Sequence, residues 1–299
     1  MEVYTKINTL YKRFMNIGKG VGLPNPKWKV FQNLIIPGSF SDQSVEFLKD
    51  CQWECYSKID GTNSKIAFYP STGTVKIGGK TDKANSQHGQ FEMLQEIADR
   101  ILPQLKEMYP PESAVFTPEI NKDTNKPEWI DVETLEPTKP IEDGLYQTKL
   151  VEAPVYIYGE YYGAGIQKCG GRYSDKNDFV VFDICQQGWW IPKNMRDEIC
   201  HKLNLPQVPY LGNMTLSKAE DVVRNGFTTH IDAKDKTLIE EGIVARPIIP
   251  VKDVRGKRLI VKIKYCDYAA FQEAMKQVTP DEYKEFKEWY EKNIENLNP

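Results

Sequence analysis

Lys58-Ile59-Asp60-Gly61-Thr62-Asn63 is the stretch on which the reading of this chain turns. It follows an aromatic, cysteine-flanked run, Trp53 to Tyr56, and precedes an apolar strand-like run, Lys65 to Tyr69. Asp60-Gly61 has turn chemistry, because glycine accepts positive φ and aspartate bonds its own backbone. The turn therefore presents Lys58 to whatever cavity the flanking strands line. A lysine held among cations and partly desolvated has a lowered pKa and becomes a nucleophile. The competing reading is a hairpin turn with a solvated lysine, and the rest of the chain decides between the two.

The chain has 299 residues, enough for one large domain or two modest ones. Its 39 basic and 42 acidic residues leave a net charge of -3, which argues against a tail held on nucleic acid by bulk charge. A local basic groove remains compatible with that balance. Cys51, Cys55, Cys169, Cys185, Cys200 and Cys266 are scattered, without zinc or disulfide spacing, so reduced thiols in a cytoplasmic setting are expected. No signal peptide is expected at the N-terminus, and no apolar run approaches membrane-spanning length.

Outward from the central stretch, residues 1–50 read as an amphipathic segment (Tyr4, Ile7, Leu10, Tyr11, Phe14) and a Gly/Pro-rich connector, with a short helix over Ser41 to Lys49. The glycines at 18, 20 and 22 lack a preceding strand and are followed by Pro24 and Pro26, so they read as loop, not as a dinucleotide fingerprint. Lys65 to Tyr69 and Thr74 to Ile77 flank a Pro-Ser-Thr-Gly turn and predict a hairpin. Gly78-Gly79-Lys80-Thr81 is not an NTPase phosphate loop, because position 74 is threonine where that motif needs glycine. Lys80 is still a candidate member of a basic wall facing phosphate. Apolar residues at helical spacing predict a helix from about 89 to 108, bent or ended near Pro103. Residues 109–150, rich in Pro and charge, read as an insertion.

Two aromatic, β-branched strands follow. Val155 to Gly163 carries Glu160 in its middle and runs into Gly163-Ala164-Gly165-Ile166-Gln167. Phe179 to Ile184 ends in Asp183. An acid inside such a strand is costly if buried without a partner. Helices are predicted over Lys193 to Leu203 and from Ser217 to Gly226, the second with Glu220 as a capping-box residue. Leu238 to Arg246 reads as a strand with an acid-glycine step inside it. In Leu259 to Tyr265, alternation puts Lys262 and Lys264 on one face, where two lysines repel unless an anion lies between them. Thr279-Pro280-Asp281-Glu282 opens a final helix whose apolar face packs on the body.

K-I-D-G at 58–61, Y-G-E at 158–160, F-V-V-F-D at 179–183, E-G-I-V-A-R at 241–246 and V-K-I-K at 261–264 stand in one order. The chain thereby resembles the covalent nucleotidyltransferase superfamily of polynucleotide ligases and capping enzymes. In K-I-D-G-T-N, Y-G-E-x-x-G-x-G-I-Q and E-G-I-V it is most similar to RNA ligases of the RNA ligase 2 type, many of them from phages. The resemblance implies an α+β fold: a ligase-type nucleotidyltransferase core of two antiparallel sheets with flanking helices and a short helical C-terminal tail. It divides the chain into an N-terminal extension (1–50), an adenylylation domain (51–268, with the insertion at 109–150) and a tail (269–299). Only 35 residues follow Lys264, so no OB-fold is expected there.

The implied roles are specific. Lys58 attacks the α-phosphate of ATP to give lysyl-AMP, and Asp60 orients or activates that step. Gly61, Asn63 and Lys80 lie near the nucleotide, Glu160 binds the ribose and Phe182 stacks on the base. Glu241 serves the Mg²⁺ or Mn²⁺ site, while Lys262 and Lys264 hold the α-phosphate and lower the pKa of Lys58. The implied partner is RNA, as ends or RNA-containing nicks, with no membrane and a monomer as the default. Two departures stand out. Lys80 occupies the region where the family commonly has an arginine. Where the most similar group often has histidine, this chain has Asp60, and aspartate there is instead the choice of DNA ligases and capping enzymes. The alternatives are therefore a minimal DNA ligase, a capping guanylyltransferase or a catalytically silent end-binding module.

Overall fold

The apolar alternation of the sequence resolves into two five-stranded sheets in a computed structural model that describes residues 4–17, 22–79, 89–111, 153–253 and 256–297, with the backbone of short segments between 113 and 150. The N-terminal part contributes β1 (Asn8–Thr9), β2 (Tyr11–Arg13), a 3-10 turn over Pro26–Phe31, β3 (Ile35–Phe40) and α1 (Gln43–Phe47). β4 (Trp53–Ser57), β5 (Thr62–Tyr69) and β6 (Thr74–Gly79) lead into α2 (Gln90–Met108). Next come β7 (Ser113–Val115), β8 (Glu119–Ile120), β9 (Pro127–Ile130), β10 (Pro137–Thr138) and β11 (Thr148–Leu150). Then come β12 (Val155–Tyr162), α3 (Gly170–Tyr173), β13 (Asp178–Gln186), β14 (Trp189–Trp190) and α4 (Lys193–Lys202). β15 (Tyr210–Met214), α5 (Leu216–Asn225), β16 (Gly242–Pro247), β17 (Val261–Lys264), α6 (Tyr265–Met275) and α7 (Pro280–Leu297) complete the chain.

One sheet runs β1-β17-β16-β4-β15 and the other β14-β13-β12-β5-β6. Both are antiparallel except at one pair: β1 runs parallel to β17, Asn8 opposite Val261. The expectation of two antiparallel sheets is corrected there, because the N-terminal segment joins the core sheet and covers the side of β17. That strand is therefore not an edge. β4 and β5 lie in different sheets, so Lys58 to Gly61 is the crossover between sheets and not a hairpin turn.

The second sheet buries Ile66, Phe68, Val155, Ile157, Phe179 and Val181 against Leu94, Ala98, Ile101 and Leu105 of α2. That helix continues through Pro103 where a bend or stop is predicted. Its apolar stripe continues past the proline, and the burial of Leu105 offsets the one backbone bond the proline removes. The predicted β5–β6 hairpin is present, with Gly73 at φ +62° in its turn. On the first sheet, Trp53, Cys55, Ile243, Ala245, Val261 and Ile263 pack against Leu216, Ala219 and Val223 of α5.

α5 starts one residue earlier than predicted. Thr215 caps it, its Oγ1 accepting from the Lys218 amide, and Glu220 makes no capping box. Glu220 instead accepts from the Tyr11 hydroxyl at 2.6 Å, a tertiary bond that outcompetes the local one. The capping box of α7 is present: Thr279 N donates to Glu282 Oε2 at 2.8 Å and Glu282 N to Thr279 Oγ1 at 3.1 Å. Its Phe286 and Tyr290 pack on Phe14, Trp28 and Phe31, joining the two ends of the chain. All six cysteines are free thiols. No helix among the described residues is long and apolar enough to cross a membrane.

Candidate active site

Lys58 leaves the end of β4 with its amide donating to the Gly242 carbonyl at 2.9 Å, so its position is set by the start of β16. Its Nζ lies 2.5 Å from Glu241 Oε2, and Lys264 Nζ lies 2.8 Å from the other oxygen of the same carboxylate. Glu241 thus stands between two lysines. Burial alone would lower the Lys264 amine, but Glu241 outweighs that and holds it above the ordinary lysine value. Gly242 is required by space: a Cβ there would lie 1.9 Å from the Ile263 carbonyl oxygen. β16 and β17 approach closely enough to bring Glu241 to Lys264 only because this position has no side chain.

Gly61 also answers to space and not, as its turn chemistry predicts, to positive φ, since its φ lies outside the left-handed region. A Cβ would lie 2.5 Å from the Tyr161 carbonyl oxygen and 2.7 Å from Glu160 Cγ. The crossover therefore passes directly against β12. Glu160 pairs in register with Asn63 across β12 and β5. Burial raises its carboxyl to about 7, with Lys58 opposing and the Glu241 and Asp60 carboxylates pushing the same way.

A cavity of about 260 Å³ opens beside Lys58 and is lined by Asn63, Glu160, Phe182 and Lys262, with Tyr4 to Ile7 forming a further wall. Asn63 Oδ1 is buried without a hydrogen-bond partner among the described residues. Phe182 is half-buried, with the Tyr4 ring edge-on to it at 5.1 Å. Asp60 is half-buried in the crossover, its amide donating to the Tyr173 hydroxyl at 3.3 Å. Lys58, Asn63, Glu160, Phe182 and Lys262 thus line one cavity, Glu241 and Lys264 join it through their ion pairs at Lys58, and Asp60 and Gly61 lie on the crossover outside the lining; these segments are more than 200 residues apart in sequence. Lys80 lies outside the described residues.

Sequence reasoning assigns no role to the charged network that reaches the cavity wall through Tyr4, Tyr56, Asp183 and Arg246. Asp183 accepts from Arg246 at 2.5 Å, from Arg258 at 2.5 Å and from the Tyr4 hydroxyl at 2.7 Å, all buried. Burial alone would raise this carboxyl, but Arg258 and Arg246 hold it below its ordinary value. Arg246 also donates to Glu54 at 3.1 Å and to the Tyr56 hydroxyl at 3.0 Å, and Arg196 reaches that hydroxyl at 3.1 Å. The network ties β13 of one sheet to β4 and β16 of the other, directly behind Phe182. Its sequence signal is an acid and an arginine each inside an apolar strand, which burial tolerates only as partners.

As to metal, no group of three or more His, Cys, Asp or Glu side chains stands ready among the described residues. Glu241, whose two oxygens pair with Lys58 and Lys264, is the carboxylate beside Lys58 that an ion would take once Lys58 releases it, and Mg²⁺ commonly takes one or two carboxylates beside substrate phosphates. The donor set therefore fits an ion brought in with a nucleotide.

A model of a protein family described as RNA ligase matches residues 52–264. A search of curated proteins finds no match. Among solved structures, the chain is similar to Naegleria gruberi RNA ligase with PPi, at 17% identity and a TM-score of 0.45, over 79% of this chain and 55% of that one. It is also similar to a lysine-to-methionine mutant of that ligase with AMP and Mn, at 14% identity and a TM-score of 0.47, with 79% and 55% covered. The chain thus spans about half the length of these structures.

Proposed function

The chain belongs to the RNA ligase family, and from that premise we propose that it joins RNA ends in an ATP-dependent reaction through a covalent adenylate on Lys58. The observation that carries this reading is the Lys58–Glu241–Lys264 cluster, with its 2.5 and 2.8 Å contacts, beside the cavity that Lys58 lines. Phe182 offers a ring to the base, and Glu160 offers a carboxylate to the ribose hydroxyls. Asn63 and Lys262 line the cavity with Lys58, and together with Lys264 they would hold the α-phosphate.

Lys58 Nζ gives up its proton to water, leaves Glu241 and attacks the α-phosphorus. A P–N bond forms as the bond to the bridging oxygen breaks, and pyrophosphate departs with the electron pair. Asp60, two residues along the crossover, orients the amine. An oxygen of an RNA 5′-phosphate then attacks the same phosphorus, and the P–N bond breaks to restore the Lys58 amine. Finally, a 3′-hydroxyl oxygen attacks the 5′-phosphorus, the strand is sealed and AMP leaves. Lys262 and Lys264 stabilise the charge that gathers on phosphate in each displacement. Glu241 is the residue that would hold Mg²⁺ or Mn²⁺, which when bound supplies Lewis-acid stabilisation of phosphate oxygens.

The test is incubation of the pure protein with α-labelled ATP and Mg²⁺, followed by a denaturing gel. A labelled band that disappears in Lys58→Ala is expected. Label from GTP alone would move the reading to capping chemistry. Folded, AMP-free protein that takes neither label would exclude the enzyme reading.

A further inference from the structure

Glu240 stands beside Glu241 but faces the other way. It is 1% exposed, and no cation pairs with it among the described residues. A buried ionised carboxylate without a counter-ion is costly, and the proposed reaction has no use for this one. Thr229 Oγ1 donates to Oε2 at 2.8 Å and the Tyr173 hydroxyl to Oε1 at 3.3 Å, and the Glu241 backbone amide also engages the carboxylate. The Tyr173 hydroxyl in turn accepts from the Asp60 amide at 3.3 Å.

Three consecutive residues therefore hold the crossover. Gly242 O takes the Lys58 amide, Glu241 takes the Lys58 amine, and Glu240 reaches the Asp60 amide through Tyr173. Tyr173 is itself locked. Its ring is 2% exposed and edge-on to Tyr162 at 5.7 Å, and its carbonyl accepts from the Lys234 amide at 2.8 Å. At the other end of α3, a Cβ on Gly170 would lie 1.9 Å from the Gly163 carbonyl oxygen, so the helix is seated on the glycine-rich loop that ends β12.

We propose that Tyr173 and Glu240 are positioning residues for the adenylylation step, a buried relay that fixes the Asp60 end of the crossover and so aims Lys58. This rests on the ligase reading above. Neither residue lines the cavity, so the effect reaches the reacting atoms through the backbone of the crossover.

The test compares Tyr173→Phe with Glu240→Gln, which keeps an acceptor for the tyrosine, and Glu240→Leu, which does not. Tyr173→Phe and Glu240→Leu are expected to slow labelling from ATP about tenfold, the worth of one buried hydrogen bond, at unchanged half-saturation. Both are expected to change sealing of pre-adenylylated ends less than about threefold. Glu240→Gln is expected to keep most of the labelling rate. Amide hydrogen exchange supplies a readout independent of activity: Tyr173→Phe is expected to speed exchange at Asp60 and leave Lys58 protected. Equal loss in both reactions, or an Asp60 amide indifferent to Tyr173→Phe, overturns the inference. Failure of the ligase reading itself is distinguishable, because it appears in the unmutated protein as absence of label, and it removes the catalytic consequence too.

Discussion

Glu241 bridges Lys58 and Lys264, with one carboxylate oxygen 2.5 Å from the first amine and the other 2.8 Å from the second. Without it, two amines face each other across the cavity mouth with no anion between them. Glu241→Ala is expected to lower both labelling from ATP and sealing of pre-adenylylated ends by about a hundredfold, the usual cost of losing a preorganised charge contact. Normal turnover by this variant would remove Glu241 from the site.

Lys58→Ala is expected to abolish labelling from ATP, since the variant has no amine to attack phosphorus. It should still seal ends adenylylated beforehand, because that displacement needs only the cavity and its cations. The side chain is only partly buried, so the circular dichroism spectrum and melting temperature should stay close to those of the parent. Loss of sealing as well would assign Lys58 more than AMP transfer.

Glu160 makes the free protein pH-dependent with a definite sign. Its folded carboxyl titrates at about 7, above its ordinary 4.5, chiefly through burial. Between these values the folded state holds a proton that the unfolded state has released, so stability falls as pH rises through this window and is flat above it. Glu160→Gln should flatten the melting temperature across the same range. Nucleotide binding should run the opposite way. The carboxylate form is the one that accepts from ribose hydroxyls, so half-saturation by ATP should improve as pH rises through about 7 in the parent and not in Glu160→Gln.

Asp183→Asn should reveal the network behind Phe182. It leaves Arg246 and Arg258 buried with their shared carboxylate gone, a loss of about 3–5 kcal/mol by urea denaturation. The parent should lose this contribution as pH falls below the ordinary carboxylate range, since the arginines depress the Asp183 pKa. A stability change under about 0.5 kcal/mol would mean that the arginines find other partners.

Gly61→Ala should be far more damaging than its size suggests. The added methyl would lie 2.5 Å from the Tyr161 carbonyl oxygen, a backbone atom that cannot step aside. A loss of about 1–3 kcal/mol is expected, together with a slower labelling rate, because the shift falls between Lys58 and Glu160. A variant with unchanged melting and labelling would show that β12 yields.

Much of the fold is legible in the chain because its signals are local. The hairpin between Tyr69 and Thr74, the helix from Gln90 and the cap at Thr279 follow from residues within a few positions of one another. The reading fails where a distant partner outcompetes a near one. Glu220 abandons its predicted cap for Tyr11, over 200 positions away in sequence, and β1 joins β17 across the whole chain.

By itself the sequence determined the order of the candidate residues, with Lys58 in a turn that follows a strand and Glu160, Phe182, Glu241, Lys262 and Lys264 in strand-like runs. What only the tertiary structure decided is how they face one another. Lys58 sits on a crossover between sheets, held by Gly242 and, through Tyr173, by Glu240. The physical reason is that strand alternation encodes a side chain's face but not its neighbours. Neighbours depend on sheet order, on the close backbone approaches that Gly61 and Gly242 permit, and on buried charges such as Asp183 and Arg246 that must find each other across the two sheets.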